Sequence, residues 1–324
     1  MMAETSTSKR LAIFPASGGL GGGIYHYLFE QRLISPIDVV LISRNPGKVP
    51  EKYKAAGVTT RQADYDKPET LTHAFEGVSY LMLISYASIE HEHRANVHKL
   101  AIDAARASGV RHIFYSSLAY AGDGQSSSAA FVMQAHLDTE AYLASLSKQD
   151  PSFTYTSIRE GIYTEAIPIY TSFLNFESPA ETICIPHSGS GPGVAWAKRD
   201  ELAEASARLI AAYTKSPNLF PHTNKTVLLS GSQAWSLSDT VGLIGNIVGK
   251  KISIQEVSLD AYLQQPHIES AKGYGSGDRA LRMATAFDAM KQGETAVVSP
   301  LLAQLLGREP ESLEVTLKSI VNGA

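Results

Sequence analysis

A glycine-rich turn near the start of the chain has the residue types and spacing of a phosphate-binding site. Residues 11–23 read Leu-Ala-Ile-Phe-Pro-Ala-Ser-Gly-Gly-Leu-Gly-Gly-Gly, which predicts a short apolar strand, a turn and the start of a helix. Glycine lets backbone N–H groups approach a phosphate closely, and the positive end of the helix dipole adds attraction. We therefore expect the turn to bind a dinucleotide pyrophosphate. The residues predicted to do so are Ser17, Gly18, Gly19, Leu20 and Gly21.

Pro15 departs from the usual form of this turn, because it stands where the first glycine of a dinucleotide fingerprint is expected. Proline lacks an N–H and fixes φ at about −65°, so a turn that needs a positive φ there must be built differently. Two interpretations stay open. The turn still binds the dinucleotide through Gly18 and Gly21, or it binds weakly and the scaffold serves chemistry without a redox step.

A basic turn after the second predicted strand favours NADP(H) over NAD(H). Ser43-Arg44-Asn45-Pro46 follows that strand, and no Asp or Glu stands between Val39 and Val49. A carboxylate here would bind the ribose 2′-hydroxyl of NAD, whereas a guanidinium suits the 2′-phosphate of NADP. Arg44, with Lys48 near it, is therefore predicted to bind the 2′-phosphate; a solvated basic turn is the alternative.

Small polar and aromatic residues follow the later strands, at the sheet edge where a doubly wound fold binds its ligands. Asp64 can accept a hydrogen bond from the adenine amino group, or it can cap a turn before Pro68. The serines at the strand ends can line a nicotinamide crevice or cap turns. The remaining residues predicted to bind the cofactor are Tyr65, Ser85, Tyr86, Ser116, Ser117, His136 and Gly161.

Alternating strand and helix patterns place these residues at the ends of parallel strands. Predicted strands cover 11–14, 38–43, 58–62, 80–85, 112–116 and 153–158, and predicted helices cover 20–31, 70–75, 90–108 and 130–147. Repeated units of this kind predict an α/β fold with a doubly wound parallel sheet. The second half is more irregular. It contains predicted helices at 199–213, 239–248 and 301–307 and a predicted strand at 226–229.

The bulk composition restricts the class of protein and of partner. The 324 residues carry a formal net charge of −4, which gives no electrostatic reason to expect a nucleic acid partner. Cys184 is the only cysteine, so an intramolecular disulfide is excluded and a reducing compartment is favoured. The first ten residues lack the apolar stretch of a secretory signal. The longest apolar run, 80–87, is far shorter than the roughly 20 residues of a membrane span. We therefore expect a cytoplasmic protein without a membrane partner.

Several motifs, in this order and spacing, resemble the NmrA-like family of atypical short-chain dehydrogenases/reductases. The similarity is closest to the NADPH:quinone oxidoreductase type 2 branch and to its fungal relatives in secondary metabolism, and it covers nearly the whole chain. The motifs are the glycine turn, 43–46, 94–105, 108–118, 136–140, 157–165 and 305–310.

The resemblance implies a Rossmann-type domain with a smaller C-terminal substrate lobe, and NADP(H) as the usual cofactor. We expect a disordered tail over 1–9 and a dinucleotide-binding domain over 10–165, with later strands from about 190–232. Residues 166–324 are then mainly the substrate lobe. Members of the family include reductases and also regulators that bind the cofactor without turnover, so the fold alone does not fix the function.

The proton donor is less clearly marked than the cofactor site. The chain contains no Tyr-x-x-x-Lys pair, which serves ordinary short-chain dehydrogenases. His136 stands where many relatives have lysine, so it can bond the nicotinamide ribose or supply a proton, unless it is a structural histidine. His91, His93 and His98 lack the spacing and the supporting ligands of a metal site, and none is predicted. Tyr163 is a second catalytic candidate. The predicted walls of a flat apolar substrate pocket are Tyr86, Tyr120, Phe131, Tyr163 and Trp196.

Three functions are compatible with these features. The first is an NADPH-dependent oxidoreductase that transfers hydride to a small apolar quinone, enone or carbonyl compound. The second is a regulator that senses NADP(H) without catalysis, and the missing Tyr-x-x-x-Lys pair is compatible with it. The third is a non-redox isomerase, cyclase or hydrolase, which Pro15 motivates. The expected partner is a small apolar substrate, and the expected assembly is a monomer or a homodimer.

Overall fold

Parallel strands form the centre of the molecule. The computed structural model describes residues 10–270 and 278–323. Its strands are β1 (Arg10–Phe14), β2 (Val39–Ser43), β3 (Thr59–Gln62), β4 (Val78–Ile84), β5 (His112–Leu118), β6 (Thr154–Glu160), β7 (Thr182–Ile185), β8 (Lys225–Leu229) and β9 (Ser253–Glu256). Seven of them make one parallel sheet in the order β3-β2-β1-β4-β5-β6-β8, and β7 pairs with β9 in a separate parallel pair.

Helices cover both faces of the sheet. The helices of residues 10–270 and 278–323 are α1 (Gly19–Glu30), α2 (Glu51–Ala55), α3 (His91–Ala107), α4 (Phe131–Gln149), α5 (Ile167–Tyr170), α6 (Arg199–Lys215), α7 (Leu237–Val248), α8 (Leu259–Leu263), α9 (Pro266–Ser270), α10 (Asp278–Lys291), α11 (Leu301–Leu306) and α12 (Leu313–Val321). α1, α6 and α11 pack together on one face, and α3 and α4 pack on the other. In β1, Leu11 and Ile13 belong to the first core, while Ala12 and Phe14 belong to the second. This alternation explains why the strand is apolar at every position.

The order of the strands in the main sheet predicts where a ligand binds. The order reverses between β1 and β4, and ligands of such sheets bind outside the carboxyl ends of the strands at that reversal. β4, β5 and β6 lie on the same side of this point, so their carboxyl ends and the turn after β1 share one edge. A third core, formed with α7, α10 and α12, packs beside that edge.

The doubly wound parallel sheet is as predicted, and most strands of the first half lie within two residues of their predicted limits. The predicted helix at 70–75 is wrong, because a short 3₁₀ turn at Pro68–Leu71 is followed by further turn residues up to the start of β4 at Val78. β7 and β9 were not predicted, since β9 is largely exposed and both are only four residues long. β8 belongs to the second half of the chain yet joins the main sheet. The predicted tail over 1–9 lies outside the described residues.

Candidate active site

The glycine turn connects β1 to α1 and leaves its backbone accessible. Ser17, Gly18 and Gly19 are exposed, and no side chain caps the first turn of α1. The first N–H groups of a helix have no partner within it, so they are available to an anion. Gly18 has φ 114°, a conformation that favours glycine. A Cβ on Gly21 would lie 2.5 Å from the carbonyl oxygen of Pro15, so only glycine fits there.

This geometry removes the main difficulty posed by Pro15. The residue of the turn with a positive φ is Gly18, three positions later, whereas Pro15 follows Phe14 through a cis peptide bond and is not among the residues with a positive φ. The N–H of Ala16 still joins the turn to the sheet by donating to the carbonyl of Ile42 at 2.7 Å. The motive for a scaffold without a redox step is therefore gone.

Arg44 lies at the open end of the crevice, exposed just after β2. A cluster of three side chains stands near it: the Tyr86 hydroxyl donates to Asp66 Oδ2 at 2.7 Å, and His93 Nε2 lies 2.9 Å from Asp66 Oδ1. The hydrogen bonds from Tyr86 and His93 lower the pKa of Asp66, and the charge of Arg44 adds to the effect. The sequence did not point to Asp66.

Asp64 and Tyr65 have partners within the protein. Asp64 Oδ1 accepts the N–H of Asp66 at 3.2 Å, which is the turn-capping interpretation of this residue. Tyr65 is a correction: it is buried, its ring packs 4.5 Å from that of Phe14, and its hydroxyl donates to the carbonyl of Ile84. Its predicted cofactor contact is not supported, because this position belongs to the core below the crevice.

A cavity of about 420 Å³ lies at the carboxyl ends of β4, β5 and β6 and reaches Leu20 of the glycine turn. Its volume is within the range of small-molecule sites. Most of its wall is apolar. The predicted residues that line it are Leu20, Ser85, Tyr86, Ser116, Ser117, His136, Gly161 and Tyr163. The other lining residues are Ile84, Ala87, Ser88, Ile89, Arg94, Leu118, Val132, Ile162, Ala166, Ile169, Tyr170 and Met283.

Three predicted wall residues do not line the cavity. Tyr120 is fully buried in the core of the C-terminal lobe. Trp196 belongs to the same core, where its indole N–H donates to Thr240 Oγ1. Phe131 packs under the guanidinium of Arg282, whose Cζ lies 4.9 Å from the ring centroid. Aromatic side chains fill cores as readily as pockets, and the sequence did not separate the two.

Serine hydroxyl groups at the strand ends form hydrogen bonds that link the walls of the cavity to one another. Ser116 Oγ accepts the N–H of Ser85 at 3.0 Å and so joins the ends of β4 and β5. Ser117 Oγ donates to Glu140 Oε1 at 2.6 Å, and Glu140 is paired with the buried Arg159 at 2.7 Å. A Cβ on Gly161 would lie 2.8 Å from the carbonyl oxygen of Leu229, so close strand packing requires glycine there.

Arg94 is the cavity residue that sequence reasoning missed. Although only 3% exposed, it lines the cavity from α3. Its Nη2 donates to Ser85 Oγ at 2.9 Å and to His136 Nε2 at 2.8 Å, and its Nη1 donates to the carbonyl of Val132 at 3.0 Å. One signal was available: Arg94 shares a helix face with Val97 and Ala101, which are buried. A charged residue on an apolar face indicates a buried polar contact.

The contacts of His136 determine its tautomer. Arginine can only donate, so His136 Nε2 is an acceptor and Nδ1 carries the hydrogen, which points to the Tyr115 hydroxyl 3.0 Å away. Burial and the charge of Arg94 lower the pKa of His136 well below its usual value. The ring is therefore neutral at pH 7. This corrects the expectation that His136 supplies a proton; it is instead placed to hold Arg94.

A second buried histidine supports the same structure. His98 Nε2 accepts the backbone N–H of Tyr86 at 2.9 Å, so its Nδ1 donates to Thr139 Oγ1, also at 2.9 Å. Burial, with a further contribution from Arg94, lowers the pKa of His98 to about 3. His91 and His93 instead face Asp138 and Asp66. Among residues 10–270 and 278–323 no three side chains are grouped as a metal site requires. None of the helices in those ranges has the length and apolar content to cross a membrane.

Known proteins resemble this chain in sequence and in fold. A model of the NmrA-like family matches residues 7–296. An NmrA-like family domain-containing oxidoreductase of Aspergillus flavus, flvB, is 30% identical over 305 residues, which cover 93% of this chain and 91% of that protein.

Two solved structures superimpose on nearly the whole chain. The NADPH-dependent quinone oxidoreductase QOR2 of Escherichia coli, in complex with NADPH, has 28% identity and a TM-score of 0.75, covering 96% of this chain and 99% of that one. The triphenylmethane reductase of Citrobacter sp., in complex with NADP(H), has 28% identity and a TM-score of 0.74 with the same coverage.

Proposed function

The chain belongs to the NmrA-like family and is an NADP(H)-dependent oxidoreductase, and we propose that its hydride acceptor is a small, flat, apolar quinone, enone or carbonyl compound. The relatives confirm the predicted enzyme class and cofactor. One of the two solved relatives is a quinone oxidoreductase and the other is a triphenylmethane reductase, and the first of these supports a quinone as the acceptor. A place in fungal secondary metabolism stays a prediction.

The residues of the turn and of the crevice fit NADPH. The open backbone of Ser17, Gly18 and Gly19 suits the pyrophosphate, and Arg44 suits the 2′-phosphate. The nicotinamide would then face the cavity between Leu20 and the ends of β5 and β6. NADPH supplies the hydride when bound there.

The observation that carries the proposal is a buried cation in a largely apolar cavity. Hydride addition to a quinone or carbonyl leaves negative charge on the acceptor oxygen, and a fixed donor beside that oxygen lowers the barrier. Arg94 is held by Ser85, His136 and the Val132 carbonyl before any ligand arrives. Arginine stays protonated in proteins, so Arg94 stabilises this charge without giving up a proton.

Tyr163 is the proposed proton donor. It lines the cavity, and burial raises the pKa of its phenol well above the usual value, so it is protonated at pH 7. Two electrons and one proton arrive with the hydride, and the second proton passes from Tyr163 to the charged oxygen and is then replaced from water. Tyr163→Phe should lower kcat by about 10²-fold and leave the Kd for NADPH within twofold.

The test is NADPH oxidation by the purified protein under anaerobic conditions. The acceptor panel contains a benzoquinone, a naphthoquinone, an unsaturated ketone and an aldehyde, with NADH as the comparison donor. We expect quinone-dependent oxidation of NADPH that exceeds that of NADH. Tight NADPH binding with no turnover over the whole panel would contradict the proposal. That result would favour the regulator that senses the cofactor without catalysis.

A further inference from the structure

Two helices begin side by side at the glycine turn, which brings a second basic residue to it. α6 packs along α1, and the contact is close because a Cβ on Gly23 would lie only 2.6 Å from the Cβ of Ala203. The segment before α6 is fixed to the cavity wall: the N–H of Ala197 donates to the carbonyl of Ile162, and its carbonyl accepts the N–H of Thr164. The first residue of α6, Arg199, is thereby held between the turn and the cavity.

The guanidinium of Arg199 lies directly on the turn. A Cβ built on Gly19 would be 2.6 Å from Arg199 Nε, 2.7 Å from Cζ and 2.9 Å from Nη1. The guanidinium therefore occupies the space that a side chain at position 19 would need. Gly19 is the first residue of α1, and its exposed backbone belongs to the predicted phosphate site.

Arg199 differs from the other arginines near α6 in its charge partners. Arg208 pairs with Glu204 at 2.8 Å, and Arg308 pairs with Glu201 and Glu204. Within residues 10–270 and 278–323, no carboxylate oxygen lies within 4 Å of the Arg199 guanidinium, although the side chain is half-buried.

The acidic side chains closest in sequence and space have other partners. Both carboxylate oxygens of Glu165 accept the backbone N–H of Arg199, at 3.3 and 3.2 Å, and Asp200 Oδ2 accepts the hydroxyl of Tyr27 at 2.5 Å. Burying part of a charged side chain costs free energy, and an anion bound beside the charge offsets that cost. The N–H groups of the neighbouring turn have no partner within α1, so they are donors suited to the same anion.

We propose that Arg199 is a pyrophosphate-binding residue of the NADPH site. The inference rests on the proposed function only in that NADPH binds at the glycine turn; it does not depend on the acceptor. A guanidinium can donate two hydrogen bonds to neighbouring phosphate oxygens, whereas the turn alone offers backbone N–H groups. Arg44 and Arg199 then bind different charged groups of the cofactor. The first meets the 2′-phosphate, which NADPH has and NADH lacks, and the second meets the pyrophosphate, which both share.

This division gives a test in terms of ligand identity. Arg199→Ala and Arg199→Lys are compared with Arg208→Ala, a matched control on the same helix away from the turn. Calorimetry with NADPH, NADH and 2′-AMP measures affinity for ligands with both groups, with the pyrophosphate alone and with the 2′-phosphate alone. The unliganded melting temperature of each variant checks that it folds.

We expect Arg199→Ala to raise the Kd for NADPH and for NADH by the same factor, about 10–30-fold, and to leave the Kd for 2′-AMP within twofold. Arg199→Lys should recover part of the loss, and Arg208→Ala should change none of the three. An unchanged Kd for NADPH in folded Arg199→Ala, or an equal loss for 2′-AMP, overturns the inference and leaves the oxidoreductase proposal intact. Wild-type protein that binds no NADPH overturns both.

Discussion

The two ends of the crevice differ in the exposure of their polar groups to solvent. At the phosphate end, the glycine turn and Arg44 present exposed donors and charge to solvent. At the acceptor end, Arg94, Tyr115 and His136 are almost wholly buried and bonded to one another. Exposed charge gives binding that is modest for each group and weakened by salt, whereas removing one member of a buried network leaves its partners unsatisfied. Binding at the first end should therefore tolerate substitution better than chemistry at the second.

The strongest test of this contrast is Arg94→Met. We expect kcat with a quinone to fall by about 10²–10³-fold, because the charge that develops on the acceptor oxygen loses its donor. The melting temperature should also fall, since Ser85 and His136 lose a donor. Steady-state kinetics and thermal unfolding measure the two effects, with the exposed Arg111→Met as the control. A kcat within threefold of wild type would show that Arg94 only supports the fold.

Arg44→Ala tests the phosphate end, where a smaller effect is expected. The Kd for NADPH should rise about tenfold, and the Kd for NADH should stay unchanged, because only NADPH has the 2′-phosphate. The loss should shrink as salt is added. Calorimetry at two salt concentrations measures it, with Arg111→Ala, an exposed arginine away from the turn, as the control. Equal losses for the two cofactors would refute this role of Arg44.

Glu160 lies on β6, next to the cavity, and the ionisation of its carboxyl reports how far the acceptor end excludes water. Burial raises the pKa of its carboxyl to about 8, although a hydrogen bond from Ser206 opposes the shift. Above about pH 4.5 the unfolded chain releases this proton while the folded protein keeps it, so the stability from this group falls as pH rises towards 8. The slope is about 1.4 kcal/mol for each pH unit.

Glu160→Gln should lack this fall, so the variant should gain stability relative to wild type between pH 5 and pH 8. Urea unfolding at pH 5, 6, 7 and 8 measures the difference, and the exposed Glu51→Gln serves as the control. A constant difference over this range would mean that the carboxyl of Glu160 is ionised in the folded protein.

Pro15→Gly should have the smallest effect. The positive φ of the turn is at Gly18 and not at position 15, so we expect the Kd for NADPH to stay within twofold. Calorimetry on this variant is a direct comparison with wild type. A severalfold gain in affinity would restore the interpretation in which proline weakens the phosphate end.

The contrast between the two ends also explains what could be predicted from the sequence. The glycine turn and Arg44 follow single predicted strands, so local pattern places them at the strand ends. Arg94 meets His136 across 42 residues, and His136 meets Tyr115 across 21. These contacts depend on how α3 and α4 pack on the sheet, which no local pattern contains.

The same limit applies to Arg199 and to the aromatic residues. Arg199 was predicted only as a helix start, and its position over Gly19 follows from the packing of α6 on α1. Tyr120 and Trp196 were assigned to the pocket because their residue type allows it, yet the packing of the C-terminal lobe buries both. Residue type identified suitable side chains, and tertiary packing decided which of them reach the cavity.

The cavity wall, finally, has a part that should be easy to vary. Ile169 from α5 and Met283 from α10 line it with apolar side chains, and neither belongs to the hydrogen-bonded network of α3 and α4. Exchanging such residues leaves no buried donor or acceptor unsatisfied, so new shapes can arise there at little cost to folding. A lineage of this fold can therefore change which molecules it reduces while keeping its catalytic frame, and a directed library should begin at these two positions.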